Sequence, residues 1–209
     1  MFVTYIVPLS ILIPILLGIL IFKNAKTGPR LLLYYLIASG LINLAAIILV
    51  FNKMKNLPLL HLYTIVEAVL ILSYFRTLFV DPLIKKVLLF ITIIFPLFCI
   101  INFTFIQSIF TFNTYTRPLE AILITFFCLL YFYKSGFTEN FINKPTSWFN
   151  IGILMYFPVV CIIFILSNYM VFVTKNKAMN SIVWHFHAGM SMVMYLAWAK
   201  GFSLIKKDG

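Results

Sequence analysis

Acidic residues are nearly missing from this chain: Asp and Glu together number five in 209 residues, against sixteen Lys and Arg. Charged residues of both signs make up 10% of the sequence, whereas hydrophobic residues make up 63% and aromatic residues 18%. A soluble globular domain carries about 25% charged residues, so this balance excludes one. Long polar stretches are lacking too, and no connection between apolar runs can house a soluble active site. There is no Walker motif, no GxSxG and no HExxH. The three cysteines, Cys99, Cys128 and Cys161, each lie inside an apolar run with no paired spacing in the connections. They read as small core hydrophobes rather than a disulfide or metal framework.

What is present is a series of apolar runs, with a mean hydropathy of +1.07. A helix needs about 20 apolar residues to cross a hydrocarbon core of about 30 Å. Seven runs qualify: Phe2 to Phe22, Leu31 to Phe51, Leu57 to Phe79, Val87 to Ile106, Tyr115 to Tyr133, Trp148 to Val173 and Ser181 to Ala199. They are continuously apolar rather than alternating, which excludes a transmembrane β-barrel and leaves helices. The first run has no positive region before it and no small-residue cleavage site after it, so it is expected to be retained. The predicted fold is all-α: one polytopic helical bundle of seven transmembrane helices over residues 1–209.

The basic residues give an orientation. Lys23, Lys26, Arg30, Arg76, Lys85, Lys86, Lys134, Lys144, Lys200, Lys206 and Lys207 fall on one side, and Lys53, Lys55, Arg117, Lys175 and Lys177 on the other. Eleven against five places the N-terminus outside and the C-terminus in the cytoplasm. The net charge of +11 flanks apolar spans beside an anionic leaflet, so the expected partners are membrane lipids and not nucleic acid. The expected location is the plasma (inner) membrane.

Asp81, Glu139 and Asp208 fall in cytoplasmic connections or the tail, but Glu67 and Glu120 lie within spans. A charged group at the centre of a membrane helix costs about 2.5 to 3.5 kcal/mol, so such residues face the bundle interior and find partners. His61, Tyr63 and Thr64 are early in the third span, Tyr115, Arg117 and Glu120 open the fifth, and His187, Ser191 and Tyr195 form a polar stripe on the seventh. All belong to the outer half, with Glu67 near the midplane. They describe an outward-facing funnel with Glu67 as its floor.

Helical spacing sorts these residues further. Tyr63 and Glu67 share a face. His185 and His187 are about 200° apart, so His187 is expected to face inward and His185 outward. Arg117 stands three residues before Glu120, close enough for an ion pair within the helix. A second reading keeps the same residues structural, with Glu67 hydrogen-bonded to Tyr63 or a neighbouring helix and both histidines packed against a carbonyl or a tyrosine. The third and fifth spans echo each other, HLYTIVEAVLI against TYTRPLEAILI, with an offset of one residue. Pro8, Pro14, Pro96 and Pro158 fall inside spans and favour kinks.

Lys200 lies too late in the last span for a retinal Schiff base, so no retinal is expected. Imidazole and carboxylate suit zinc, and His61, Glu67, Glu120 and His187 are the ligand set the sequence offers; no resident cofactor is otherwise expected. The segment SIVWHFHAGMSMVMY, with its early Trp-His pair, resembles the last helix of alkaline ceramidase and adiponectin-receptor-like hydrolases. That resemblance implies a metal-dependent intramembrane lipid hydrolase using those four residues as ligands or general base. The family's Ser-His pair is not reproduced, since Ser39 is followed four residues later by Asn43 and Asp81 lies in a connection.

The segments Leu60 to Glu67 and Trp184 to His187 resemble those of bacterial seven-helix proteins of about this length, which open their third span with an LHLYTxxE-like stretch. This resemblance implies the topology and no activity. The leading expectation is a binding or sensory module that takes a small molecule or lipid headgroup into the outward pocket and passes a helix rearrangement inward. The alternatives are the hydrolase, a transporter with Glu67 as its proton-coupling group and inner access resting on Ser39, Asn43 and Asn150, and a structural partner of another membrane protein.

Overall fold

Pro14 decides the shape of the first helical stretch. Its ring nitrogen has no hydrogen to give the carbonyl of Ser10 and its ring crowds that carbonyl, and the helix breaks there into α1 (Val7–Ser10) and α2 (Leu12–Leu20). A computed structural model describes residues 6–136, 140–174 and 176–205 of the chain. Glu139 and Asp208, Lys175, Lys206 and Lys207, and the first residues of the first span lie outside the described residues. Among the described residues every regular element is helical.

The remaining helices are α3 (Thr27–Phe51), α4 (Leu57–Leu78), α5 (Pro82–Ile101), α6 (Thr116–Ser135), α7 (Pro145–Asn168) and α8 (Lys177–Ser203). Both α5 and α7 run on into a π-helical turn, Asn102–Ile106 and Tyr169–Thr174. Most helices extend beyond the apolar runs by a few residues because polar caps lie outside the hydrophobic count. Asp81 caps α5 by accepting from the amides of Leu83 at 2.9 Å and Ile84 at 3.5 Å. Gly136, at φ 63°, ends α6 in the left-handed region.

Five segments are long and apolar enough to cross a membrane: Thr27–Phe51, Leu57–Leu78, Pro82–Ile106, Thr116–Ser135 and Pro145–Thr174. The segment Val7–Leu20 is apolar but shorter. At 27 residues α8 is long enough, yet Asn180, Ser181, His185, His187 and Ser191 lower its hydropathy below that of the five. The molecule is thus a multi-pass, membrane-embedded helical protein. Its outward faces carry Phe90, Ile93, Leu97, Ile122, Phe126 and Ile162, all exposed, as expected of surfaces that meet lipid.

Packing follows a closed circuit. The neighbouring pairs are α2 and α3, α3 and α4, α4 and α6, α6 and α7, α7 and α8, and α8 and α2, with α5 outside the ring against α4. One end of the ring is filled by aromatic side chains, among them Tyr74, Phe75, Phe149, Trp198 and Phe202, all fully buried. There α7 and α8 approach closely: a Cβ on Gly152 would stand 2.7 Å from Cδ1 of Trp198 and 3.2 Å from the carbonyl of Met194. The other end is not filled. The buried residues of α3 stop at Ser39, and the rest of that helix stands away from the interior.

Candidate functional site

The polar groups meet at the unfilled end, where the α3–α4 connection, the segment 107–115 and the α7–α8 connection lie. Tyr35 from α3 donates to Oε1 of Glu67 at 2.6 Å, and Tyr63, one helical turn before Glu67 on α4, donates to the same oxygen at 3.1 Å. Arg117, in the first turn of α6, forms an ion pair with Glu67 and another with Glu120, the latter at 2.7 Å. All three charged side chains are buried. The glutamates of the two echoing segments therefore meet on one guanidinium.

Asn113 sets the position of Arg117. Its Oδ1 accepts from the amide of Thr116 at 3.0 Å, the hydroxyl of Thr116 at 2.7 Å and the amide of Arg117 at 3.2 Å, which satisfies the orphan donors that open α6. Its Nδ2 donates to the hydroxyl of Thr64 at 3.1 Å and ties that helix start to α4. The guanidinium then lies 5.1 Å from the ring centroid of Tyr63 and 5.5 Å from that of Phe164. Nη2 reaches the hydroxyl of Tyr156 at 3.4 Å, and that hydroxyl lies 3.4 Å from Nε2 of His187. The His187 ring packs among Tyr156, Phe164 and Trp184.

Beside this network is a cavity of about 1000 Å³. Its polar wall holds Tyr63, Arg117, Tyr156, His187, Ser191 and Tyr195. Its other walls are apolar: Ile11, at the break between α1 and α2, and Ile15 and Ile19 on α2 recur every four residues, and Ile37, Leu41 and Leu44 line the facing side of α3. Phe112 and Trp184, stacked with centroids 5.5 Å apart, stand at its edge. Phe112 is held by Asn168, which accepts its amide at 3.1 Å and donates to its carbonyl at 3.2 Å.

Of the ten residues singled out in the sequence, five reach the cavity: Tyr63, Arg117, His187, Ser191 and Tyr195. Glu67 and Glu120 sit behind the wall on Arg117, and Thr64 is buried on the bond from Asn113. His61 and Tyr115 do not line the cavity. The His61 ring is 1% exposed, but Nε2 meets the carbonyl of Thr111 at 3.2 Å and the ring stands edge-on to Phe103, away from the cavity. Tyr115 is 58% exposed, since the capped start of α6 turns it outward. His185 is also exposed and bonds the carbonyl of Ser181 in its own helix, as its spacing from His187 requires.

The cavity also draws on more of the bundle than spans 3, 5 and 7, since α1, α2, α3 and α7 line it. Ser39 and Asn43, read in sequence as inner-side polarity, line this same cavity. Asn150 belongs to the filled end, where it donates to Tyr74 at 3.0 Å. Tyr35, Asn113 and Tyr156 went unnoticed in the sequence. The spacing of Tyr35 and Ser39, four apart on one helix face, was the signal for the first of them.

His61, Glu67, Glu120 and His187 do not gather into one ligand set. Among the described residues no group of three or more His, Cys, Asp or Glu side chains is placed to hold a metal ion. All three cysteines are free thiols. No family model matches the chain, and no curated protein or solved structure does either.

Proposed function

We propose that the chain is a seven-pass protein of the plasma (inner) membrane, N-terminus outside, that binds an amphiphile in its outward-facing cavity and senses its presence. The observation that carries this reading is a cavity with one polar wall, built on Arg117, and long apolar walls from α1, α2 and α3. Ligand sites combine a largely apolar lining with a few placed polar groups in this way. The charge asymmetry of eleven basic residues against five supports the orientation. The place of α8 in the ring, between α7 and α2, supports counting it and the α1–α2 stretch as spans.

The sensory part rests on connectivity. Tyr35, Glu67, Arg117, Tyr156 and His187 come from five different helices and are joined by hydrogen bonds and ion pairs. A ligand touching Tyr63 or Arg117 alters contacts that set how those helices sit. A ligand shifts such an arrangement only by its difference in affinity for the two states.

Gly40 gives a clean test. A Cβ there has Cδ1 of Ile15 at 3.9 Å as its near neighbour and points into the cavity, so Gly40→Phe fills the space without displacing packed atoms. Native mass spectrometry of protein released from mild detergent should show a bound lipid-like adduct in the wild type. It should be lost in Gly40→Phe at unchanged unfolding temperature. A folded variant that keeps the adduct, or a wild type that neither carries nor takes up an amphiphile, contradicts the proposal.

A further inference from the structure

The hydrogens of three hydroxyls on the cavity lining are already committed, and this bears on the head of the ligand. Each phenol has a single O–H to give. That of Tyr35 goes to Glu67 at 2.6 Å. That of Tyr63 goes either to Glu67 at 3.1 Å or to Tyr35 at 2.7 Å, and both lie behind the wall. Ser39, 3.3 Å from the Tyr63 hydroxyl, must then be the donor in their contact. Ser191 donates to the carbonyl of His187 at 3.0 Å. What Tyr63, Ser39 and Ser191 have left to offer the cavity is lone pairs.

The charges point the same way. Arg117 is the cation of the lining, and it already faces the carboxyl groups of Glu67 and Glu120. With both carboxyls ionised the trio carries one negative charge in excess. With one of them protonated it is neutral. Neither state leaves a positive charge for an anionic head. The wall also holds a surplus acceptor behind it, since Oε1 of Glu120 is buried with no hydrogen-bond partner. The apolar walls run from Val7 to Ile19, about 18 Å at 1.5 Å per residue, enough for an alkyl chain.

We infer that the cavity takes a single-chain amphiphile whose head donates hydrogen bonds and bears no negative charge, an alcohol or an amine, and that it rejects carboxylate and phosphate heads. This rests on the amphiphile-binding reading above and adds its chemical class. The lone pairs of Tyr63, Ser39 and Ser191 meet a donor head, and the aromatic rings of Tyr63, Tyr156 and Trp184 add a favourable surface for an ammonium group.

The test is competitive occupancy. Delipidated wild-type protein is incubated with an equimolar mixture of dodecyl glycerol ether, dodecylamine and dodecanoate, and bound masses are read by native mass spectrometry, with partition into protein-free micelles measured in parallel. The alcohol and the amine should each occupy the site about tenfold more than the carboxylate, the size of a unit-charge interaction across a partly screened interior. Glu120→Gln, which keeps an acceptor for Arg117, should reduce the amine-to-carboxylate ratio by about the same factor. Dodecanoate binding as well as or better than the other two overturns the inference while leaving the cavity a lipid site. Binding of none of the three overturns the underlying reading. Glycerol or ethanolamine binding as well as the chain-bearing probes would reassign the site to a water-soluble ligand and overturn the amphiphile assignment.

Discussion

Arg117, in the first turn of α6, is paired with Glu67, ten residues into α4, and the two side chains are only 3% and 0% exposed. The pair fixes two helices that share no sequence proximity, and Glu120 shares the same guanidinium. Removing one partner of a buried pair leaves an uncompensated charge and costs about 3 to 5 kcal/mol. Arg117→Ala leaves two carboxyl groups facing each other and should lower stability by at least that amount. Glu120→Gln should cost less, since an acceptor remains. Thermal unfolding followed by the reactivity of the buried thiols Cys99 and Cys128 distinguishes them; equal unfolding temperatures for Arg117→Ala and the wild type would refute the pairing.

Asn113 holds the start of α6 and reaches Thr64 on α4. Asn113→Ala should destabilise the protein by about 1 to 2 kcal/mol through loss of the cap. Because Arg117 follows directly, the variant should also weaken amphiphile retention. An unfolding curve and adduct mass that both match the wild type would show that the cap positions nothing.

Two glycines should respond in opposite ways. Gly152→Ala drives a methyl group against Trp198 and the Met194 carbonyl, and overpacking of this kind costs about 1 to 3 kcal/mol. Gly40→Ala meets its near neighbour at 3.9 Å and removes a flexible residue from a helix, so it should be neutral or stabilising. Parallel thermal melts of the two variants check the contrast, and a reversed order would contradict the close contact of α7 with α8.

Asp81, outside the apolar spans, accepts from Lys134 Nζ at 3.2 Å and from the Leu83 amide at 2.9 Å. The Lys134 hydrogen bond, with the backbone amides, holds its carboxyl below the ordinary value. A carboxyl lowered in the folded state contributes stability above its unfolded value, about 4, and loses it as pH falls through the folded value. Asp81→Asn should therefore be less stable than the wild type near neutral pH, and the two melting curves should converge as pH falls through the lowered folded value. A constant gap between them at all pH values would contradict this.

Glu67, Tyr63 and Arg117 were legible in sequence because rare polar groups in apolar runs must find each other, and His187, Ser191 and Tyr195 followed from helical spacing. Spacing gives the angle of a side chain around its own helix but not the neighbour it meets. That is why His61, also early in α4, was grouped with the pocket although it turns to Thr111. Tyr35 and Tyr156 contribute single hydroxyls from apolar stretches with no charged residue within four positions to draw attention, and their roles depend on the ring order of the bundle. Pro14 was visible as a breaker, whereas the ability of the two short pieces to wall a cavity depends on α3 standing apart beyond Ser39.

The most direct test of the central claim is photocrosslinking with a diazirine-bearing dodecyl glycerol ether in phosphatidylcholine nanodiscs, mapped by peptide mass spectrometry. Binding in the cavity concentrates label on residues 11–19 and 37–47, and Gly40→Phe abolishes it. Label spread evenly over the outward faces of α5 and α6, at Phe90, Ile93 and Phe126, and unchanged by Gly40→Phe, would show that the amphiphile meets this protein only as bulk lipid.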